Sequence, residues 1–341
     1  MSPISPINSK TWDKSVLTFP NHTIFHSKAW ARVLHESYDY IPRYFVLYNQ
    51  NKISAALPLM EIRSPVTGKR GVSLPFTDEC TSLNRNSREV EYLFQKAVQY
   101  GEKAAWRYIE LRDYNPFFRD IRPFCRYYSH TLDLSLGEDK LYAGLKSSNR
   151  RNIKKAQKQG INIKISNSIN SLEKFCRLNC ITRKKHGLPP QPDKFFKKIH
   201  QHLLIQNHGF IALALVDQKV IAGALYLQFG KSALFKYGAS HPDYLNLRPN
   251  NLVMWEAIQK LAGEGFHTMS LGRTDPENEG LLQFKRGWNP KETQLEYIRY
   301  NLTTQSFETR KTNPNSGYSL FRQMPIPVLK LMGNLLYKHV G

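Results

Sequence analysis

The chain is short of acid, short of cysteine and short of long apolar runs, and each shortage excludes something. Asp and Glu total 27 of 341 residues against 49 Lys and Arg, a formal charge of +22. Such a surface repels cationic partners and draws anionic ones, phosphates first. The charge suits nucleic acid, an anionic lipid face, a nucleotide-linked sugar or coenzyme A equally well, so it names a partner charge and not a partner. The four cysteines are Cys80, Cys125, Cys176 and Cys180. The last two lie one turn apart on an expected helix, without further ligands for a structural zinc, so reduced buried thiols are expected. No His, Asp and Glu cluster has metal-ligand spacing, and no metal is expected. No nucleophile elbow, Walker loop or dinucleotide fingerprint occurs. Met1 to Lys10 lacks the apolar stretch of a signal peptide and no run is long enough to span a bilayer, which sets the expectation of a cytoplasmic protein.

What is present is enough apolar residue, 41%, for a full core and a length suited to two domains. An internal repeat sharpens this. Ala97 to Leu111 lies without a gap on Ala257 to Leu271, pairing Ala97 with Ala257, Val98 with Ile258, Gln99 with Gln259, Trp106 with Phe266, Ile109 with Met269 and Leu111 with Leu271. Both read as helix, turn, strand. Upstream lie two hairpins, Tyr44–Tyr48 with Ile53–Leu59, and Ile211–Val216 with Val220–Phe229. A further strand over Ala233–Tyr237 leads to a helix starting near Asn250. The expected fold class is α+β, as two related domains with mixed sheets flanked by helices. The expected boundaries are 1–135, 136–300 and a 301–341 tail of polar linker and short amphipathic helix. On that helix Leu329, Met332, Leu336 and, less squarely, Leu335 fall on one side, which suits docking on the body or peripheral contact with a membrane.

Motifs spread along the chain carry a resemblance. They are Leu74-Pro75-Phe76 with Asp78; Asn149-Arg150-Arg151-Asn152 and Gly160; Thr182-Arg183 with His186-Gly187; Gln191-Pro192; and Lys236-Tyr237-Gly238. They continue through Pro249-Asn250, Gly272-Arg273, Phe284-Lys285 and Gly287-Trp288. In this order they resemble the FemAB-like, or BioF2-like, acyltransferases built from tandem GNAT-type domains. The resemblance implies transfer of an acyl or aminoacyl group to an amine on a cell-envelope, polysaccharide or peptidoglycan precursor, an anionic small or lipid-linked molecule. Acyl-CoA is the expected co-substrate, with aminoacyl-tRNA as the rival, and no tightly bound cofactor is expected. A basic binding protein without catalysis, tethered to membrane or polysaccharide, is the rival from another class.

Acyl transfer to an amine needs a proton acceptor, stabilisation of the tetrahedral oxyanion and a cradle for the carrier. Lys285, matching the lysine of the Fem-type Phe-Lys motif, is the candidate for the oxyanion, and Asp78 for the amine. A groove between the two halves is the expected place for both. Arg151, Arg273 and Tyr237 are candidates for holding the acceptor. Asn250, as the cap of its helix, and Asn251 are candidates for the carrier. Two features cut against the expected carriers. No glycine-rich loop precedes the Asn250 helix, as the usual GNAT pattern requires, and no sustained heptad pattern supplies the helical arm of transferases that use tRNA.

Overall fold

The computed structural model describes residues 2–112, 116–309 and 319–340. Contacts divide the chain into two compact units, and neither is continuous in sequence. Residues 1–127, 294–313 and 335–341 form the first unit; residues 128–293 and 314–334 form the second.

In the first unit, α1 (Trp12–Val16) and α2 (Lys28–Tyr38) precede strands β1 (Ile41–Pro42), β2 (Phe45–Asn49), β3 (Lys52–Leu57), β4 (Met60–Ser64) and β5 (Gly68–Val72). Helix α3 (Ser87–Lys103) then leads to β6 (Tyr108–Leu111). Asn86 starts α3 with a capping box, accepting from the Glu89 amide while the Glu89 carboxylate returns to the Asn86 amide. The helix buries Val90, Leu93, Phe94 and Ala97 against Leu57, Trp106, Ile109 and Leu111. Strands β2 and β3 form the expected hairpin as a separate two-stranded sheet.

The chain enters the second unit through β7 (Cys125–Asp133), followed by α4 (Glu138–Gly144), α5 (Ser147–Lys158), β8 (Asn162–Ser166), α6 (Ile169–Lys185) and α7 (Asp193–Ile199). Then come β9 (Gly209–Val216), β10 (Lys219–Phe229), β11 (Ser232–Ser240), α8 (Pro249–Gly263), β12 (Thr268–Thr274) and α9 (Glu279–Arg286). The sheet order is β7-β12-β11-β10-β9-β8. Helix α8 is buried nearly all round: Met254, Ala257, Ile258 and Leu261 pack on Ala224, Tyr226, Met269 and Leu271. Strand β13 (Lys291–Asn301) returns the chain to the first unit, where it pairs with β6 and carries β14 (Ser306–Phe307). Helices α10 (Ser319–Gln323) and α11 (Ile326–Val340) end the described chain.

The repeat is structural. In each unit a helix, α3 or α8, delivers a strand, β6 or β12, parallel to the strand before it, β5 or β11. Each delivered strand is then flanked on its other side by an antiparallel strand, β13 for β6 and β7 for β12. The hairpin matching was incomplete. Strands β4 and β5, which stand to β6 as β10 and β11 stand to β12, were not read from the sequence.

Helix α11 is held by both of its ends. Within the second unit Leu329 is buried and Gly333 lies so near the chain that a Cβ there would come within 2.1 Å of the Pro190 carbonyl oxygen. Lys330 pairs with Asp193 at 2.7 Å. Within the first unit the last carbonyls find donors: Tyr40 Oη gives to Tyr337 O at 2.9 Å, and Arg70 Nη2 to His339 O at 2.6 Å. A guanidinium at a helix C-terminus satisfies an orphan carbonyl and complements the dipole.

The loop bearing Asp78 is pinned by a buried histidine. His26 Nδ1 accepts from the Thr23 amide at 3.0 Å and Nε2 lies 2.8 Å from Thr81 O, so the imidazole is neutral with its proton on Nε2. Burial lowers its pKa from 6.5 to about 4. A depressed histidine pKa means that stability is fully present above pH 6.5 and is lost as pH falls toward 4. The loss at the bottom of that window is on the order of 3 kcal/mol. Denaturant unfolding at stepped pH should show this slope in the wild type and a shallower one in His26→Gln; equal slopes would refute the assignment.

Candidate active site

The second unit contains a break in its sheet. Strands β11 and β12 pair over three residues only, Ser232–Leu234 with Thr268–Ser270. Strand β11 runs on to Ser240 and β12 to Thr274, while the far side of β12 stays paired to β7 through Arg273 with Ser129 and Thr274 with Tyr128. The register shifts between Ser270 and Arg273, where Gly272 takes the left-handed φ of +73° that favours glycine. Two parallel strands that part leave main-chain groups on their facing edges to be satisfied by something else.

A lysine satisfies two of them. Asn278 caps α9 by accepting from the Leu281 amide at 3.1 Å, and Leu282 buries the inner face of the helix. The last turn then directs Lys285 inward, where it is 2% exposed. Its Nζ donates to Gly272 O at 2.7 Å and to Arg273 O at 3.1 Å. The residue sits on a helix, and its ammonium stands where β12 leaves β11. It is not an exposed lysine, and the Phe284 and Trp288 rings meet edge-on at 6.0 Å beside it. Burying an ammonium is costly unless it is hydrogen-bonded or paired, and these carbonyl dipoles offset part of that cost.

Polar groups without partners gather around the same turn. His130, fully buried on β7, has Nε2 2.8 Å from Glu292, and Arg286 grips that carboxylate with Nε at 2.6 Å and Nη2 at 2.8 Å. The Arg286 bonds hold the Glu292 pKa below the ordinary value. Burial is the main cause that lowers the pKa of His130, and the nearby Lys285 charge adds to it. With the carboxylate fixing the proton on Nε2, Nδ1 is left as a lone-pair acceptor with no partner. Thr274 Oγ1, Trp288 Nε1 and Asn149 Nδ2 are likewise buried without partners. Buried polar atoms are nearly always hydrogen-bonded, so such a concentration marks where a ligand or water completes the structure. The His130–Glu292 pair was missed because its members stand 162 residues apart with no motif around either.

Asn149, one of the motif residues, joins this cluster. Its Oδ1 accepts from Asn251 Nδ2 at 3.3 Å, and a Cβ on Gly287 would meet its side chain at 2.7 Å. Gly287 is therefore glycine for space. Asn250 does not cap α8: the helix begins at Pro249, and Arg248, at φ +63°, is the cap residue with no side-chain bond to the helix. Asn251, expected for the carrier, is buried and turned to Asn149. Tyr237 Oη donates to Gln191 Oε1 at 2.7 Å. Arg151 is exposed on α5 beside Lys154, Lys155 and Lys158, while its neighbour Arg150 donates to Ala143 O and Leu145 O. Arg273 lends its carbonyl to Lys285.

Asp78 lies in the first unit on a loop with two non-glycine residues at positive φ, Leu74 at 50° and Phe76 at 61°. Such residues are strained and persist only where their surroundings hold them. Arg112 Nη1 donates to Leu74 O and Thr77 O, and Tyr297 Oη donates to Asp78 O at 2.7 Å. The Phe76 ring stands 4.9 Å from that of Tyr38. Beside Asp78, Glu79 is buried enough to raise its pKa.

Comparison with known proteins agrees with this architecture. Residues 145–286 match the model described as an acetyltransferase (GNAT) domain. Over those residues the chain carries a GNAT acyltransferase domain. Over 74 residues the chain is 34% identical to the lipid II:glycine glycyltransferase of Staphylococcus haemolyticus, a stretch covering 20% of the chain and 18% of that relative. The match thus spans less than a fifth of the relative's length. A crystal structure of FemX superposes with TM-score 0.71 at 15% identity, over 86% of this chain and 96% of that one. A tandem GNAT protein from the clavulanic acid biosynthesis pathway gives 0.55 at 10% identity, over 88% and 98%. Both share the fold.

Lys285→Met keeps the length of the side chain and removes the interior donor to Gly272 O and Arg273 O. The expected loss in urea unfolding is about 1–3 kcal/mol. A loss below about 0.5 kcal/mol would mean that these carbonyls do not depend on the lysine.

Proposed function

We propose that this FemAB-like protein transfers an aminoacyl group from aminoacyl-tRNA to an amine on a peptidoglycan precursor. The observation carrying the reading is the buried Lys285 ammonium at the point where β12 parts from β11. In the reaction the amine nitrogen bonds to the ester carbon, the carbonyl oxygen becomes an oxyanion, and the carbon–oxygen bond to the carrier breaks. The proton lost by the amine leaves with the carrier's hydroxyl. A fixed cation in a dry site stabilises the oxyanion without reorganisation at that moment. His130, held neutral, adds no second positive charge beside it. Asp78, on its pinned loop, is the proposed carboxylate for the acceptor amine. Arg151, Arg273 and Tyr237 remain the proposed contacts to the acceptor.

The choice of carrier rests on the start of α8. A GNAT pyrophosphate cradle uses successive free amides at a helix N-terminus. Here Pro249 removes one amide, the Asn251 amide is already bonded to Arg248 O, and no glycine loop precedes them. The exposed cations Arg151, Lys154, Lys155 and Lys158 form a stripe along α5 suited to a nucleic-acid backbone. The name of the staphylococcal relative, a lipid II:glycine glycyltransferase, also points to an aminoacyl group and a lipid-linked acceptor. Acyl-CoA is the second reading, favoured by the description of the matched domain as an acetyltransferase.

Incubation with lipid II and either labelled glycyl-tRNA or labelled acetyl-CoA separates the readings. Label should reach lipid II from the tRNA, and Lys285→Met should lower kcat by about 10²–10³. Asp78→Asn is expected to reduce turnover by about 10²–10⁴. Label arriving from acetyl-CoA alone overturns the carrier; none from either, with lipid II still bound, favours a basic binding protein without catalysis.

A further inference from the structure

The outer side of α11 is apolar where a helix docked on a protein is ordinarily polar. The inner side is occupied by Leu329 and Gly333, yet Val328, Leu331 and Leu335, at helical spacings of three and four, are 42%, 58% and 52% exposed. Leu320 on α10 is 64% exposed. Beside the first turn of α11 the second unit has an open groove of about 610 Å³, with walls that include Leu172, Cys176, Phe196 and Ile326. Burial raises the pKa of the Cys176 and Cys180 thiols in its lining, so they stay protonated and behave as apolar wall. Arg177 and Lys197 stand at the groove together with Glu173.

Charge selects the occupant. After Glu308 the sequence contains no Asp or Glu, and the described helices carry Arg322, Lys330 and Lys338. Lys330 is paired with Asp193 and Glu173 stands at the groove, so Arg322 and Lys338 carry the charge of the outer face, and a two-fold contact would bring those same cations together. The face complements an anionic bilayer, into which apolar side chains insert while Lys and Arg meet the headgroups. The helix lies on the surface and does not cross it: its 15 residues span about 22 Å, short of the ~30 Å hydrocarbon core. Among the described residues no helix is long and apolar enough to cross a membrane.

We propose that α10 and the outer face of α11 dock on an anionic lipid bilayer, with one hydrocarbon chain from that bilayer entering the groove beside α11. The inference stands on this surface alone and does not need the reaction proposed above. Flotation of the full chain with phosphatidylcholine vesicles, with and without phosphatidylglycerol, tests it. The chain should float with the anionic vesicles, and the double change Val328→Glu with Leu331→Glu should weaken binding at least about tenfold while the melting temperature holds, because both positions are exposed. Leu331→Trp and Ile169→Trp, the latter at the groove, should both gain quenching over the parent from vesicles brominated in their acyl chains. Binding that is absent, or equal in wild type and double variant, overturns the docking, as does self-association lost in the double variant without vesicles. Quenching at Leu331 without quenching at Ile169 overturns the part given to the groove.

Discussion

An ammonium that cannot reach water must be held by the chain, and the way Lys285 is held organises the second unit. Its two bonds go to consecutive carbonyls, Gly272 and Arg273, which are available because β12 has left β11 and Gly272 adopts a left-handed backbone. The parted strands, the glycine and the lysine therefore imply one another. Take those carbonyls away and the buried charge loses two of its hydrogen bonds. Remove the lysine and the parted edge loses its donor.

The turn that delivers Lys285 is fixed just as tightly. The Lys146 amide donates to Gly287 O, Asn149 fills the space beside Gly287, and Asn251 reaches Asn149 from α8. The start of α5 and, more than a hundred residues later in the chain, the start of α8 and the end of α9 thus converge on one point of this unit. Several of the motifs that resemble the FemAB-like pattern are these contacts seen in linear form.

This explains what could be read from the sequence. Helix and strand periodicities made the repeated α3–β6 and α8–β12 units legible, because each buries one face and the patterns survive in Ala97, Ile109, Ala257 and Met269. Short strands such as β4, Met60–Ser64, carry too few residues for an alternation to stand out, and Glu61 and Arg63 make it look like a polar loop. Lys285 was legible only through the motif around it; its burial was not, since a lysine in the last turn of a short helix is ordinarily solvated. His130 and Glu292 could not be found, because pairing across 162 residues leaves no local trace and both residue types are common on surfaces. The capping role given to Asn250 failed on a single backbone angle: Arg248 at φ +63° is the cap, so the helix starts two residues earlier, at Pro249.

The excess of cations acquires a different meaning once the acids are located. Glu110 is buried between Arg112 and Arg299, Glu61 is buried between Arg43 and Arg63, and Glu292 is gripped by Arg286. Of these, Glu110 neutralises arginines that reach the interior, where planar guanidinium groups suit fixed geometry. Among the described acids only Glu61 and Glu110 are buried, so the positive field facing solvent comes from the excess of lysines and arginines, and it is densest where the sequence offers no acid, as along α5. The self-repulsion that results destabilises the compact state, and a surface of this kind persists where contact with polyanions relieves it. The physical expectation is that stability rises when phosphate-bearing partners bind and that the gain shrinks as salt screens both effects.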